Sequence, residues 1–271
     1  MNSQHILASK IAEIKESFYE LIDHSYLARY VKDPTVDEDK ILFFYTITDH
    51  LPKKKQKEQI LAALLVEAAF EVHESISLQN LDCDQKKKSR QLTVLAGDFF
   101  SSLYYHTLTK GKHFSVLNVF TASIQQMNEH KMTLHQSEVL SEEALVEGIT
   151  GAETGLIRNM AEFYGKEWIG AVAEIFFVYK RISEEVNKDS SVVVSAVANA
   201  INRYVTGGAE SQPKNWPSTE TKRWAAEKNE QFQGELKSFL SSHPLPAPMV
   251  NRIQEVISKD SYYQDNAVEE G

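Results

Sequence analysis

The chain has very little of what staples or punctuates a small fold. A single cysteine, Cys83, excludes an internal disulfide framework and a cysteine-based zinc site. Eleven glycines and seven prolines among 271 residues leave few breaks, and alternating β-branched runs are scarce. That combination points to helices joined by short loops, an all-α chain. No 18-residue apolar run is present, so no integral membrane segment is expected, and the opening MNSQHILASKIAEIKESF is amphipathic without the apolar centre of a signal peptide. A basic excess is missing too. Thirty-eight acidic residues against 29 basic ones give a net charge of −9, which argues against a general affinity for nucleic acid or anionic lipid. These absences together predict a cytoplasmic protein with no nucleic-acid partner. Two lysine clusters, LPKKKQKEQ and DQKKKSR, are local exceptions and read as solvated faces.

Helical spacing of apolar residues runs through most of the chain. The pattern predicts helices at 5–31, 38–50, 57–78, 90–108, 113–136, 138–164, 166–186 and 190–204. Residues 57–78 carry the strongest amphipathic signal, with Leu61, Leu64, Leu65, Ala68, Ala69, Val72 and Ile76 on one face. The polar stretch TGGAESQPKNWPSTE reads as a linker, giving a helical domain 1–205, a linker 206–218 and a C-terminal extension 219–271. Within that extension, helices are expected at 219–241 and 246–258, followed by a frayed tail, DSYYQDNAVEEG.

The stretch FEVHESISL, followed by TVLAGDFF, resembles the trans-prenyl diphosphate synthases, in which a helix reading roughly L-x-H-D-D-x-x-D precedes one opening with V-L-A-G-D-[FY]. The resemblance matches His73 to the family histidine and puts Glu74 and Ser75 where the aspartate pair belongs, with Leu78 at the third aspartate. It implies an isoprenoid-synthase helical bundle with a degenerate active site. Two aspartate-rich motifs hold Mg²⁺ in the catalytic family, and that hard ion needs a cluster of close oxygen ligands. No two aspartates are adjacent anywhere in this chain, and RISEEVNKD is the nearest acidic run in the region of the second motif. Where the family has a Lys-Thr pair to cradle diphosphate, Glu153 precedes Thr154. No catalytic residue and no metal ligand is therefore assigned.

From RQLTVLAGDFFSSLYYHTL through GITGAETGLIRNMAEFYG, the chain resembles component 1 of bacterial heptaprenyl diphosphate synthase. The resemblance implies a non-catalytic regulatory subunit without a cofactor of its own. It would form a heterodimer with a catalytic component 2 that carries Mg²⁺ and extends farnesyl diphosphate with isopentenyl diphosphate to a C35 product for menaquinone. It also implies pairing through the helices near 90–108 and 113–136. Leu92, Leu95, Phe99 and Leu103 follow one helical face there, while Phe100 and Tyr104 fall on a second. Together with Gly97, Asp98, Met127 and His130 they are candidates for a partner interface or the wall of a product tunnel, where a prenyl diphosphate tail is a candidate contact. Gly97 is read as permitting close approach of a partner backbone, and Asp98 as a carboxylate that needs a partner if buried.

Simpler readings stand beside these. Glu67, Glu71 and Glu74 share a helix face at i, i+4, i+7, which is expected to be a solvated stripe. His73 reads as a hydrogen-bonded core histidine, and His130 and His135 stand five apart, the wrong spacing for zinc on one face. Aromatics at helical spacing also occur in plain core. Two other functions remain open at this point: a stand-alone helical module that binds prenyl chains or lipid, and an independent enzyme of the terpene-synthase type.

Overall fold

The structure is a computed structural model and describes residues 3–76, 83–136, 138–187, 195–208 and 216–269. Among them it is all helical. The elements are α1 (Ser3–Ile22), a 3-10 turn (Leu27–Arg29), α2 (Glu38–Ile47), α3 (Lys53–Glu74), α4 (Asp84–Lys110), α5 (Phe114–His135), α6 (Glu142–Phe163), α7 (Glu167–Asn187), α8 (Ala196–Val205), α9 (Thr219–Ser242) and α10 (Ala247–Glu269). They form two compact units, Met1–Ala122 and Ser123–Gly271.

In the first unit α3 is the central helix. It packs along α4 and against α1 and α2, so every residue from Gln59 to Val66 is buried. A helix enclosed this way has no solvent stripe in its middle, which the expectation of one apolar face did not anticipate. Its antiparallel pairing with α4 follows from two contacts. His73 near its C-terminus lies over Gly97, and Glu58 near its N-terminus accepts from His113 Nε2 at 2.8 Å, just past the end of α4. The tight α4–α5 turn puts Lys112 at φ 58°, in the left-handed region. The first expected helix stops at Ile22 rather than 31. The amide of Leu27 instead bonds to His24 Nδ1, and such local side-chain bonds compete with continuing a helix.

The second unit is built on α6 and α7, with α9 laid along α7. Serine N-caps start three of its helices: Ser141 accepts from Ala144 N (3.2 Å), Ser195 from Ala198 N (3.0 Å) and Ser218 from Thr221 N (3.1 Å). The α6–α7 corner needs Gly165 at φ 66°. A polar seam joins α9 to the unit. Asn229 donates to Ser183 Oγ (2.9 Å), Gln233 to Tyr179 (3.0 Å) and Trp224 Nε1 to Glu142 (2.8 Å). Of the expected linker 206–218, residues 209–215 lie outside the described residues. The tail expected to fray continues α10 as helix to Glu269.

Glu142 fastens the start of α6 to α9. Burial pushes its carboxyl pKa up, but hydrogen bonds from Trp224 and Lys228 and the Lys228 charge outweigh this and hold it below the ordinary 4.5. A carboxyl depressed in the folded state contributes stability above its unfolded pKa and loses it as pH falls through the folded value. Glu142→Gln is therefore expected to melt below wild type at about pH 7, with the difference closing as pH drops below 4.5 in thermal melts. A gap that stays constant down to about pH 3 would contradict the assignment.

Candidate functional site

The candidate site begins at the C-terminal end of α3. The His73 ring fills the space where residue 97 would carry a side chain, and a Cβ built there would lie 2.4 Å from Nε2. Gly97 thus makes room for a ring of its own chain, a correction to the expectation that it accommodates a partner backbone. His73 Nε2 is 3.8 Å from Asp98 Oδ1, and the Asp98 side chain is 67% exposed. Asp98 is accordingly not the buried carboxylate of an apolar helix. Ser75 donates its hydroxyl to Val72 O at 2.7 Å, Glu74 is exposed, and Leu78 lies outside the described residues.

Of the α3 glutamates expected on a solvated stripe, Glu71 and Glu74 are exposed and only Glu67 is largely buried. Glu67 accepts from Lys40 Nζ at 2.6 Å, and these two side chains are only 20% and 9% exposed. Glu71 takes the amide of Thr35 (2.9 Å) and its hydroxyl (2.8 Å). Each carboxylate is tied to a different element, so the two do not converge on a common point. Among the described residues, no group of three or more histidine, cysteine, aspartate or glutamate side chains is arranged to hold a metal ion. The donors present at this end do not fit a Mg²⁺ cluster, which needs several carboxylate oxygens around one centre.

The second unit repeats the theme. Glu153 of α6 lies 3.4 Å from Arg181 of α7, and Arg181 also pairs at 2.8 Å with Glu185, whose side chain is 1% exposed. Lys180 reaches Glu184 at 4.0 Å. The acidic run of α7 is thus matched by cations one turn earlier. Thr154 is buried and turns its hydroxyl to Thr150 O (2.7 Å). At this position the helix presents an internal ion pair in place of a cationic cradle.

Three glycines of α6 receive side chains of α5. A Cβ at Gly148, Gly151 or Gly155 would meet Leu134 at 3.0 Å, His130 at 2.1 Å and Met127 at 2.8 Å respectively. Met127, 1% exposed, and half-buried His130 therefore pack within this unit and do not form a free partner surface. The spacing of these glycines in GITGAETG was the legible signal, and no sequence expectation used it.

The remaining candidates divide by face. Phe100 is buried, Leu92, Phe99, Leu103 and Tyr104 are half-buried, and Leu95 is 57% exposed. Tyr104 stacks on Phe120 with centroids 6.1 Å apart, and burial pushes its hydroxyl pKa up. Val94, not singled out from the sequence, and Tyr105, whose aromatic cluster with Phe99, Phe100 and Tyr104 offered bulk for a tunnel wall, join Leu95 among the exposed residues of α4. From 91 to 109 the only Asp, Glu, Lys or Arg is Asp98, whereas a quarter of the chain is charged. Core positions of protein interfaces are depleted of charge in this way.

Residues 24–233 match the family described as heptaprenyl diphosphate synthase (HEPPP synthase) subunit 1. A stretch of 123 residues is 27% identical to heptaprenyl diphosphate synthase component 1 of Geobacillus stearothermophilus, covering 45% of this chain and 54% of that relative. The matched stretch thus spans about half of that relative's length. Among solved structures, heptaprenyl diphosphate synthase of Staphylococcus aureus is similar with a TM-score of 0.65 at 11% identity, over 92% of this chain and 96% of that one. Decaprenyl diphosphate synthase of Rhodobacter capsulatus gives a TM-score of 0.61 at 10% identity, over 94% and 98%. These likenesses show the isoprenoid-synthase fold. No helix among the described residues is long and apolar enough to cross a membrane.

The His73–Gly97 contact sets up a double-mutant cycle. Gly97→Leu overpacks the α3–α4 interface and is expected to cost about 1 to 3 kcal/mol in denaturant unfolding. His73→Ala in the same chain should recover part of that loss. Strict additivity of the two changes would show that ring and glycine do not share the space.

Proposed function

Because the chain belongs to the heptaprenyl diphosphate synthase subunit 1 family, we propose that it is the non-catalytic regulatory subunit of a two-component polyprenyl diphosphate synthase. The observation that carries the proposal is the use made of its polar side chains. Glu67 and Glu153 are paired with Lys40 and Arg181, and Glu71 accepts from Thr35, so these carboxylates face separate partners and do not converge on one metal centre. The partner, a catalytic component 2, supplies the aspartate-rich motifs and Mg²⁺. The pair extends farnesyl diphosphate with isopentenyl diphosphate to a C35 product for a menaquinone side chain, in the cytoplasm.

The sparsely charged α4 supports pairing through its outer face, where Val94, Leu95 and Tyr105 are exposed. A partner seated there would also lie beside Phe99 and Leu103, which leaves those residues as candidates for the wall along a growing prenyl tail. The subunit then acts by shape. It closes one side of an apolar tunnel and keeps water from the partner's reaction centre.

The experiment is a mixing assay. The chain alone should form no polyprenyl diphosphate from farnesyl and isopentenyl diphosphates with Mg²⁺, and activity should appear when component 2 is added. Elongation by the lone chain would refute the proposal, while tight prenyl binding without a partner would favour a stand-alone lipid-binding module. Leu95→Asp removes an exposed apolar side chain and is expected to leave the fold intact. Burying a leucine contributes about 1.5 to 3 kcal/mol, so association should weaken roughly ten- to a hundredfold in a binding titration. Wild-type affinity in this variant would remove the outer face of α4 from the interface. Glu74→Gln should change the mixed activity by less than about tenfold, since no transition-state contact is assigned to it.

A further inference from the structure

One end of the first unit has a charge opposite to that of the chain. α3 opens with Lys53, Lys54 and Lys55, all exposed, followed by Lys57. Cations at a helix N-terminus oppose the macrodipole, so the helix gains nothing from them there. The α4–α5 turn brings exposed Lys110 and Lys112 to the same end, because His113 donates to Glu58 at 2.8 Å and Gly111 abuts the same carboxylate. Segments 49–58 and 110–114 together hold six lysines against two carboxylates, Asp49 and Glu58, in a chain of net charge −9; Lys54 lies 4.0 Å from Glu58, and Lys57 pairs at 2.9 Å with Glu13 of α1. Beside the turn, Phe114 is 60% exposed.

Several lysines at the same end of a unit as an exposed aromatic are the composition of a surface that rests on an anionic bilayer: the cations meet headgroup phosphates, and the ring enters the boundary between headgroup and acyl chain. In the second lysine cluster Lys87 pairs with Asp84 at 3.5 Å, and Lys88 lies over the Tyr30 ring at 4.9 Å and the Tyr26 ring at 5.6 Å.

We infer that the end formed by Lys53, Lys54, Lys55, Lys110, Lys112 and Phe114 docks reversibly on an anionic phospholipid surface. The surface itself stands on charge and exposure. Its use, which is to hold a synthase making an apolar product next to lipid, rests on the subunit proposal. α3 is 22 residues long, so this end lies about 33 Å from the end that carries His73 and Ser75. Docking here leaves the end with the degenerate motif facing away from the lipid.

The test is co-sedimentation of the purified full chain with vesicles of phosphatidylcholine, with and without about one-third phosphatidylglycerol, at low and high salt. Binding is expected only to the anionic vesicles and should fall as salt rises. The K53Q/K54Q/K55Q variant should lose about a hundredfold in partition constant, and Phe114→Ser should bind more weakly with unchanged helicity. K86Q/K87Q is the control and should bind like wild type. No binding of the wild-type chain to anionic vesicles, or equal loss in the control, overturns the assignment. So does a triple variant that binds vesicles normally but fails to co-purify with component 2, because the lysines would then face an acidic protein. Because the chain is tested alone, a failure to bind vesicles leaves the subunit proposal standing, and the mixing assay decides that proposal separately.

Discussion

Residue 97 has no room for a side chain, because the His73 ring already occupies the space above it. This exclusion sets how α3 and α4 lie together, and the rest of the first unit follows from it. With α4 held by Ala96, Gly97, Phe100 and Leu108 on its buried side, Val94, Leu95 and Tyr105 have only the outside to face. The second unit uses the same device where His130 sits over Gly151. In both places an imidazole is a packing body. Both rings are half-buried, with Nε2 among the atoms that lie over the glycine.

The charged residues follow a complementary logic. A site for metal and diphosphate needs carboxylates and cations kept apart from each other and aimed at a shared empty space. Here opposite charges are brought together instead. Lys40 with Glu67 joins α2 to α3, and Glu153 with Arg181 and Glu185 joins α6 to α7. Removing one member of such a buried pair typically costs about 3 to 5 kcal/mol, because the other is left charged and unpaired. The pairs therefore contribute to architecture by tying neighbouring helices together.

Much of the fold was legible because the signals were local. Helical spacing places most elements within a few residues, and VLAGDFF marks the middle of α4. The site was less legible because its partners are remote in sequence. Glu67 reads as solvated until Lys40, 27 residues away, is brought beside it. A glycine such as Gly97 announces that something approaches closely without saying what, and a neighbouring chain was as consistent with the sequence as His73. Spacing alone also could not rank the two apolar faces of α4. The near absence of charge from 91 to 109 applies to both faces and does not rank them either.

Exposed apolar surface carries a cost that internal packing does not explain. Leu95 and Tyr105 would each be better placed inside a core, and a charged residue at either position would be more soluble. The contact of α4 with α3 is filled by small and aromatic residues on the opposite side, so these side chains add nothing to it. Cover by another surface, as proposed for the outer face of α4, would remove that cost. On α4 the apolar side chains Val94, Leu95 and Tyr105 thus stand exposed, while Ala96, Gly97, Phe100 and Leu108 are buried.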